Sequence, residues 1–224
     1  MLFRSKALGV DLVKSVGPHA KKRAEEFHSD HVAGILHPLG LLPLDEDAYH
    51  LAVDLVKVLL PRAHGATPSE AALILNRLGK LPLDPEARAA GAAFLMAVLT
   101  RLKLGSLDIF LLSGVVNAVG QLAQEEGIRD AARPLMEKAV AIATLRWRSF
   151  WGASMRTTLK GFAAFGWPWD ERIAKLVDAW GPGFGGVQGE AAAEIAAALT
   201  FWGQPIPERL SAALTASASG KANG

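Results

Sequence analysis

The sequence predicts an all-α protein, built as a superhelical array (α-solenoid) of about five helix-turn-helix repeats. Three observations support this prediction: a short apolar motif that ends in glycine recurs five times, a proline-bearing turn follows most copies, and an acidic residue then marks a helix start. Regular recurrence at a period in this range is typical of stacked helical hairpins. Arrays of this kind build long surfaces that hold other molecules.

The five copies of the motif end at glycines that lie 39, 41, 46 and 37 residues apart. The copies are Leu36–Gly40, Leu75–Gly79, Val116–Gly120, Phe162–Gly166 and Leu199–Gly203. We predict a first helix before each glycine, a tight turn at the glycine, and a second helix after it. At Gly79 we expect a left-handed C-cap, a backbone conformation that is cheap only for glycine. The predicted repeats cover residues 25–64, 65–104, 105–146, 147–183 and 184–217.

The second repeat has the clearest helix signals. Thr67 and Glu70 form a capping-box pattern around Pro68, which suits the first position of a helix. Apolar residues then recur at helical spacing as far as Leu78. After the turn, Asp84 starts the second helix by the same capping logic.

The other repeats vary this pattern. Leu42–Asp45 repeats the proline turn of the second copy, and Trp167–Arg172 matches Gln204–Arg209. The third copy has no proline after its glycine, and we expect Glu125–Gly127 to fill its turn. Gly181–Gly186 reads as a flexible link before the last repeat.

The two ends of the chain differ from the repeats in composition. Residues 1–24 carry six basic residues against one acidic residue, a local charge of +5, whereas the remaining 200 residues carry −3. Such a leader, with apolar residues among cations, is typical of a mitochondrial transit peptide, and a docking arm is an equal alternative. Residues 218–224 are small and polar and are expected to form a flexible tail.

Composition also limits the chemistry. The chain has no cysteine, so disulfides and thiolate metal sites are excluded. The longest uncharged run, Ile109–Gln124, has 16 residues, which is short for a membrane span. His28 and His31 could pair on one helical face, but no third metal ligand stands at a recognisable spacing. We find no catalytic motif and predict a protein that is not an enzyme and has no metal, cofactor or small-molecule substrate.

The repeat pattern resembles the helical-hairpin repeats of organellar RNA-handling proteins, namely the octotricopeptide, heptatricopeptide and FAST-kinase-like repeats. Met155–Gly166 is the copy most similar to them, and the resemblance covers about residues 25–215. It implies a mitochondrial or plastid location and a role in RNA binding or in an organellar ribosome. Tetratricopeptide and pentatricopeptide repeats fit less well because their periods are shorter.

Two groups of residues are candidates for binding. Cations in the leader and on the first helices of repeats are candidates for RNA contact: Arg4, Lys6, Lys14, Lys21, Lys22, Arg23, Arg77, Lys80, Arg156 and Lys160. All six tryptophans lie in the last two repeats, and four of them are candidates for partner binding: Trp147, Trp151, Trp169 and Trp180. Tryptophans can fill a core, anchor a protein interface or stack RNA bases, and all three readings remain open.

These observations favour a non-enzymatic scaffold in an organellar ribonucleoprotein, most plainly a mitochondrial ribosome component in the matrix that contacts rRNA and neighbouring proteins. The alternative is a protein-binding accessory subunit of a respiratory or other membrane complex. In both readings the partner is a large assembly.

Overall fold

The structure is a computed structural model that describes residues 15, 17–20, 22–39, 46–79, 84–187 and 189–221. None of these residues is in a strand, which confirms the all-α prediction. From Ser29 onward they form ten α-helices. In chain order, α1 to α10 are Ser29–Leu39, Glu46–Leu59, Pro68–Leu78, Pro85–Val98, Ile109–Leu122, Ile128–Leu145, Gly152–Phe165, Glu171–Trp180, Glu190–Phe201 and Glu208–Lys221. Residues 15, 17–20 and 22 are also helical, so the chain has more helices than five hairpins supply.

The helices lie in two rows. The odd-numbered helices, here called A helices, pack in chain order, with α1 on α3, α3 on α5, α5 on α7 and α7 on α9. The even-numbered B helices pack in the same way from α2 to α8, whereas α10 packs on the 3₁₀ turn Gly181–Gly186. Buried apolar side chains of both rows form one core cluster. Each hairpin therefore buries its apolar side chains against its neighbours in the chain.

The predicted helix starts are confirmed in atomic detail. The Thr67 hydroxyl accepts a hydrogen bond from the Glu70 N–H at 3.3 Å, and the Glu70 carboxylate accepts one from the Thr67 N–H at 2.9 Å. Asp84 accepts the N–H of Ala87 at 2.8 Å and so caps α4. These side chains satisfy N–H groups that have no partner within the first helical turn.

The predicted turns occur at only some of the repeated glycines. Gly166 caps α7 with φ +76°, and Gly203 follows α9 with φ +67°, which confirms a turn at both. The left-handed conformation predicted for Gly79 is wrong, because its φ of −65° is right-handed, and the turn predicted at Gly120 is wrong, because this residue lies inside α5. Gly127, with φ +74°, lies in the bend of the third hairpin instead, within the predicted turn. Gly40 and Lys80 lie outside the described residues.

The glycines inside the A row serve a different purpose, which is close helix contact. A Cβ on Gly120 would lie 2.2 Å from the backbone oxygen of Gly161, and one on Gly161 would lie 2.7 Å from the backbone of Val116. A Cβ on Gly114 would lie 2.1 Å from Oδ1 of Asn76. Larger residues cannot occupy these positions unless the helices move apart. Interhelical contact thus explains why the motif keeps glycine even where no bend follows.

Polar links also join consecutive hairpins. The backbone oxygen of Gly79, at the end of α3, accepts hydrogen bonds at 3.1 Å from Asn117 and Gln121 of α5. Comparable links between hairpins are Ser29 to Glu70, Thr158 to Ser113, and the Lys57–Glu86 and Arg172–Glu137 ion pairs. Each link fixes how one hairpin sits on the next.

The central A helix, α5, is the most enclosed element. Every residue from Leu112 to Gly120 is buried, including Ser113 and Asn117. Across the part of the chain that the structure describes, no helix has both the length and the apolar composition that crossing a membrane requires.

Candidate interaction surface

The leader cations proposed for RNA contact lie mostly beyond what the structure describes. Arg4, Lys6, Lys14 and Lys21 fall outside the described residues, whereas Lys22 and Arg23 are exposed. Arg23 forms an ion pair with Glu26 at 2.6 Å. Lys22 is therefore a solvent-facing cation of this group, and Arg23 has its charge matched one turn away.

Arg77 lies inside the protein rather than on a binding surface. Only 2% of this residue is exposed, and its guanidinium carbon lies 6.0 Å from the centre of the Phe110 ring on α5. Burial lowers the pKa of Arg77 from its ordinary value. Contact with a nucleic-acid phosphate would require this side chain to leave its position between α3 and α5.

Arg156 and Lys160 also have a partner within the chain. They lie one turn apart on α7, and both reach Glu194 on α9. The Arg156 Nε lies 3.2 Å from one carboxylate oxygen, and the Lys160 Nζ lies 2.6 Å from the other. One carboxylate thus bridges two cations and joins the last two A helices.

The tryptophans proposed for partner binding separate into buried and exposed members. Trp180 is 3% exposed, donates its indole N–H to the Trp147 backbone oxygen at 3.1 Å, and packs against Phe150 with ring centres 5.0 Å apart. Trp169 is half-buried against Trp202, at 5.7 Å between ring centres. Trp180 therefore acts as core, in agreement with the core-filling reading.

The remaining two tryptophans, Trp167 and Trp202, both belong to the core or pack against it. Trp167 is buried, and its backbone oxygen accepts the indole N–H of Trp202 at 2.7 Å. Trp167 therefore contributes to the core of the fourth repeat and links it to the fifth. These two contacts match the core reading for the tryptophans beside the repeated glycines.

The connector between α6 and α7 presents the most exposed apolar side chains of this region. Leu145 ends α6 with 83% of its surface exposed, and Trp151 precedes α7 with 68% exposed. Between them, Trp147–Ser149 form a single 3₁₀ turn, and Phe150 is buried. Since Phe150 and the Trp147 oxygen both contact Trp180, the connector is fixed on α8 while its two ends face solvent.

A groove adjoins this connector. It has a volume of about 310 Å³ and is lined by Thr144 and Trp147 on one side and by Lys175, Leu176 and Ala179 of α8 on the other. We call Leu145, Trp147, Arg148, Trp151 and Lys175 the connector surface. Large exposed apolar side chains grouped with cations are typical of protein-binding sites rather than of an inert surface.

The connector surface is positively charged. Two of its five residues, Arg148 and Lys175, are cations, none is acidic, and residues 139–169 contain no Asp or Glu. Arg148 is exposed, and its guanidinium carbon lies 4.8 Å from the centre of the Trp147 ring. The Lys175 Nζ lies 3.7 Å from Glu171, and 68% of its side chain is exposed, so water screens this pair.

Sequence reasoning selected Trp147 and Trp151 but missed Leu145. Leu145 lies four and seven residues after the exposed Ala141 and Lys138, so helical spacing places it on the outer face of α6. The run from Leu145 to Trp151, with four large apolar residues and two arginines but no acid, is the signal that could have identified it.

The described residues show no cluster of three or more His, Asp or Glu side chains that could hold a metal ion. His31 instead accepts a hydrogen bond from the His28 N–H at 3.2 Å, near the start of α1. Models of known protein families gave no match to the chain, and no curated protein matched it significantly. We therefore base its function on the geometry of the connector surface.

Proposed function

We propose that the chain is a non-enzymatic helical-repeat scaffold that binds another protein through the connector surface. The observation that carries this proposal is the exposure of Leu145 and Trp151 at the two ends of a connector that Trp180 fixes in place. Exposing a leucine and a tryptophan to water costs the folded chain free energy, which a partner recovers by covering them. Tryptophan and arginine are also the residues that contribute most at protein interfaces.

The arrangement of the hairpins supports a scaffold. In this proposal the two rows of helices form the superhelical array expected from the sequence, with each hairpin held by the next through polar links. Such an array fixes its connectors at regular positions along one edge, so that one rigid body can hold a partner in a defined orientation. A respiratory or other membrane complex, bound as an accessory subunit, is one setting that fits this role.

The second candidate function is a component of an organellar ribonucleoprotein, such as a mitochondrial ribosome in the matrix. The basic leader and the Arg148–Trp147 pair favour it, since a cation beside an aromatic ring also suits RNA. The internal pairing of Arg156 and Lys160 with Glu194 favours the protein-binding role instead.

Purification of the full chain from its native source, with and without RNase, tests the proposal. We expect the co-purifying proteins to survive RNA digestion and to be lost from a Leu145→Asp, Trp151→Ser variant. Met96→Asp, which changes another exposed apolar residue on α4, is the matched control and keeps them. Loss of all partners after RNA digestion would favour the ribonucleoprotein role.

A further inference from the structure

The charge of the connector surface indicates the chemical class of the partner that it binds. We propose that this surface binds an acidic amphipathic segment of a partner protein, whose apolar side chains cover Leu145 and Trp151 and whose carboxylates face Arg148 and Lys175. This inference rests on the proposed function and adds the chemical class of the partner.

The apolar part of the inference follows from shape. The groove beside Trp147 holds about 310 Å³, enough for one or two apolar side chains of a bound segment. Leu145 and Trp151 flank the connector and offer further apolar area. Leucine gives no stacking face for a nucleotide base, so the apolar composition favours a protein segment over RNA.

The acidic part follows from charge complementarity. Arg148 and Lys175 keep solvent-facing charge, while no acid occurs in residues 139–169. Glu171 and Asp178 on α8 are the acids of the described residues nearest in sequence to Lys175, and Glu171 reaches Lys175 only at 3.7 Å. The chain's own residues 1–24, at +5, would be repelled from this surface. Complementary charge on a partner raises the association rate and excludes partners of the wrong sign.

A selection with random 16-residue peptides displayed on phage tests this inference with the full chain as bait. Phage that bind the wild type are retained, and those that also bind the Leu145→Asp, Trp151→Ser variant are removed. Circular dichroism confirms that the wild type and the variant are both helical. We expect enriched peptides to carry net negative charge together with Leu, Phe or Trp. An Arg148→Glu, Lys175→Glu variant should weaken their binding by about tenfold or more, and added salt should narrow that difference.

The outcomes separate the two proposals. Enriched peptides that are neutral or basic would overturn the acidic partner and leave protein binding at the connector surface in place. If the selection yields no peptide that binds the wild type better than the Leu145→Asp, Trp151→Ser variant, both proposals are overturned. Labelled 20-nucleotide polyuridine that binds the wild type, is displaced by no peptide and is lost from the Arg148→Glu, Lys175→Glu variant would assign the surface to RNA. Self-association in sedimentation that Leu145→Asp abolishes would assign it to a second copy of the chain.

Discussion

The backbone oxygen of Gly161 lies where a side chain on Gly120 would have to go, 2.2 Å from the position of its Cβ. The two residues belong to α5 and α7, and neither position can enlarge without separating these helices. Close contact between A helices is therefore built into the backbone rather than into adaptable side chains.

We expect Gly120→Ala to lower the free energy of unfolding by about 3 kcal/mol or more, at or beyond the upper end of the usual cost of overpacking, because the atom in the way is backbone. Chemical denaturation followed by far-ultraviolet circular dichroism measures this change. Gly34→Ala on α1 is the control, since a Cβ there meets nothing within 4 Å. The control should be neutral or stabilising by up to about 1 kcal/mol, as alanine favours helix over glycine. Equal effects of the two substitutions would contradict the close-contact account.

Glu194 links α7 and α9 through Arg156 and Lys160. Glu194→Gln should cost less than about 1 kcal/mol of stability, because partly exposed ion pairs contribute little. It should leave affinity for polyuridine unchanged, although it releases two cations on an A helix. Fluorescence anisotropy with labelled RNA measures this, and a clear gain in affinity would support the RNA contact predicted from the sequence for Arg156 and Lys160.

Asp170 makes stability depend on pH. Burial opposes ionisation of this carboxyl, but hydrogen bonds from the Ile173 N–H, Arg172 and Trp167 outweigh it and hold the pKa of Asp170 below its usual range. Because the pKa of Asp170 is lower in the folded than in the unfolded state, the ionised carboxylate stabilises the fold. This stabilisation is complete above the unfolded pKa of about 3.9 and is lost as the pH falls through the folded pKa. We therefore expect the free energy of unfolding to decrease as the pH is lowered beyond about 4.

Two substitutions separate the capping role of Asp170 from its charge. Asp170→Ala should lose about 1 kcal/mol at neutral pH because the α8 cap is removed. Asp170→Asn should lose less, since asparagine also caps helices, yet both should flatten the acid dependence. Asp84, whose pKa the Ala87 N–H lowers, retains part of that dependence in either variant. Denaturation curves recorded from about pH 2 to about pH 7, which spans the range where carboxyl groups titrate, compare the stability of the two variants with that of the wild type.

Trp180 holds the connector through its indole N–H. Trp180→Phe keeps most of the buried ring but removes the bond to the Trp147 oxygen, at a cost of about 1 kcal/mol. Amide hydrogen exchange should then speed up at residues 146–151 more than in α5. Uniform acceleration along the chain would mean that Trp180 has only a global packing role.

The parts of the fold that depend on neighbouring residues were predictable from the sequence. The capping box of Thr67 and Glu70 and the cap at Asp84 use groups within one turn, so residue order alone is enough to identify them. The pairing of helices into hairpins follows from the regular recurrence of the motif along the chain.

The parts that depend on distant residues were not predictable. The same apolar-glycine motif ends a helix at Gly166 and continues it at Gly120, because in the second case α7 approaches from elsewhere in the chain. Arg77 reads as a surface cation, yet Phe110 and the packing of α5 enclose it. The candidate site was therefore found in part, through its tryptophans.

The enclosure of α5 from Leu112 to Gly120 restricts where sequence change is tolerated. A helix surrounded by other helices along this stretch offers no surface on which a new ligand could bind, and nearly every substitution along it would disturb its packing. Adaptation to different partners must then take place in the loops at the margin, where residues can vary while the interior stays constant.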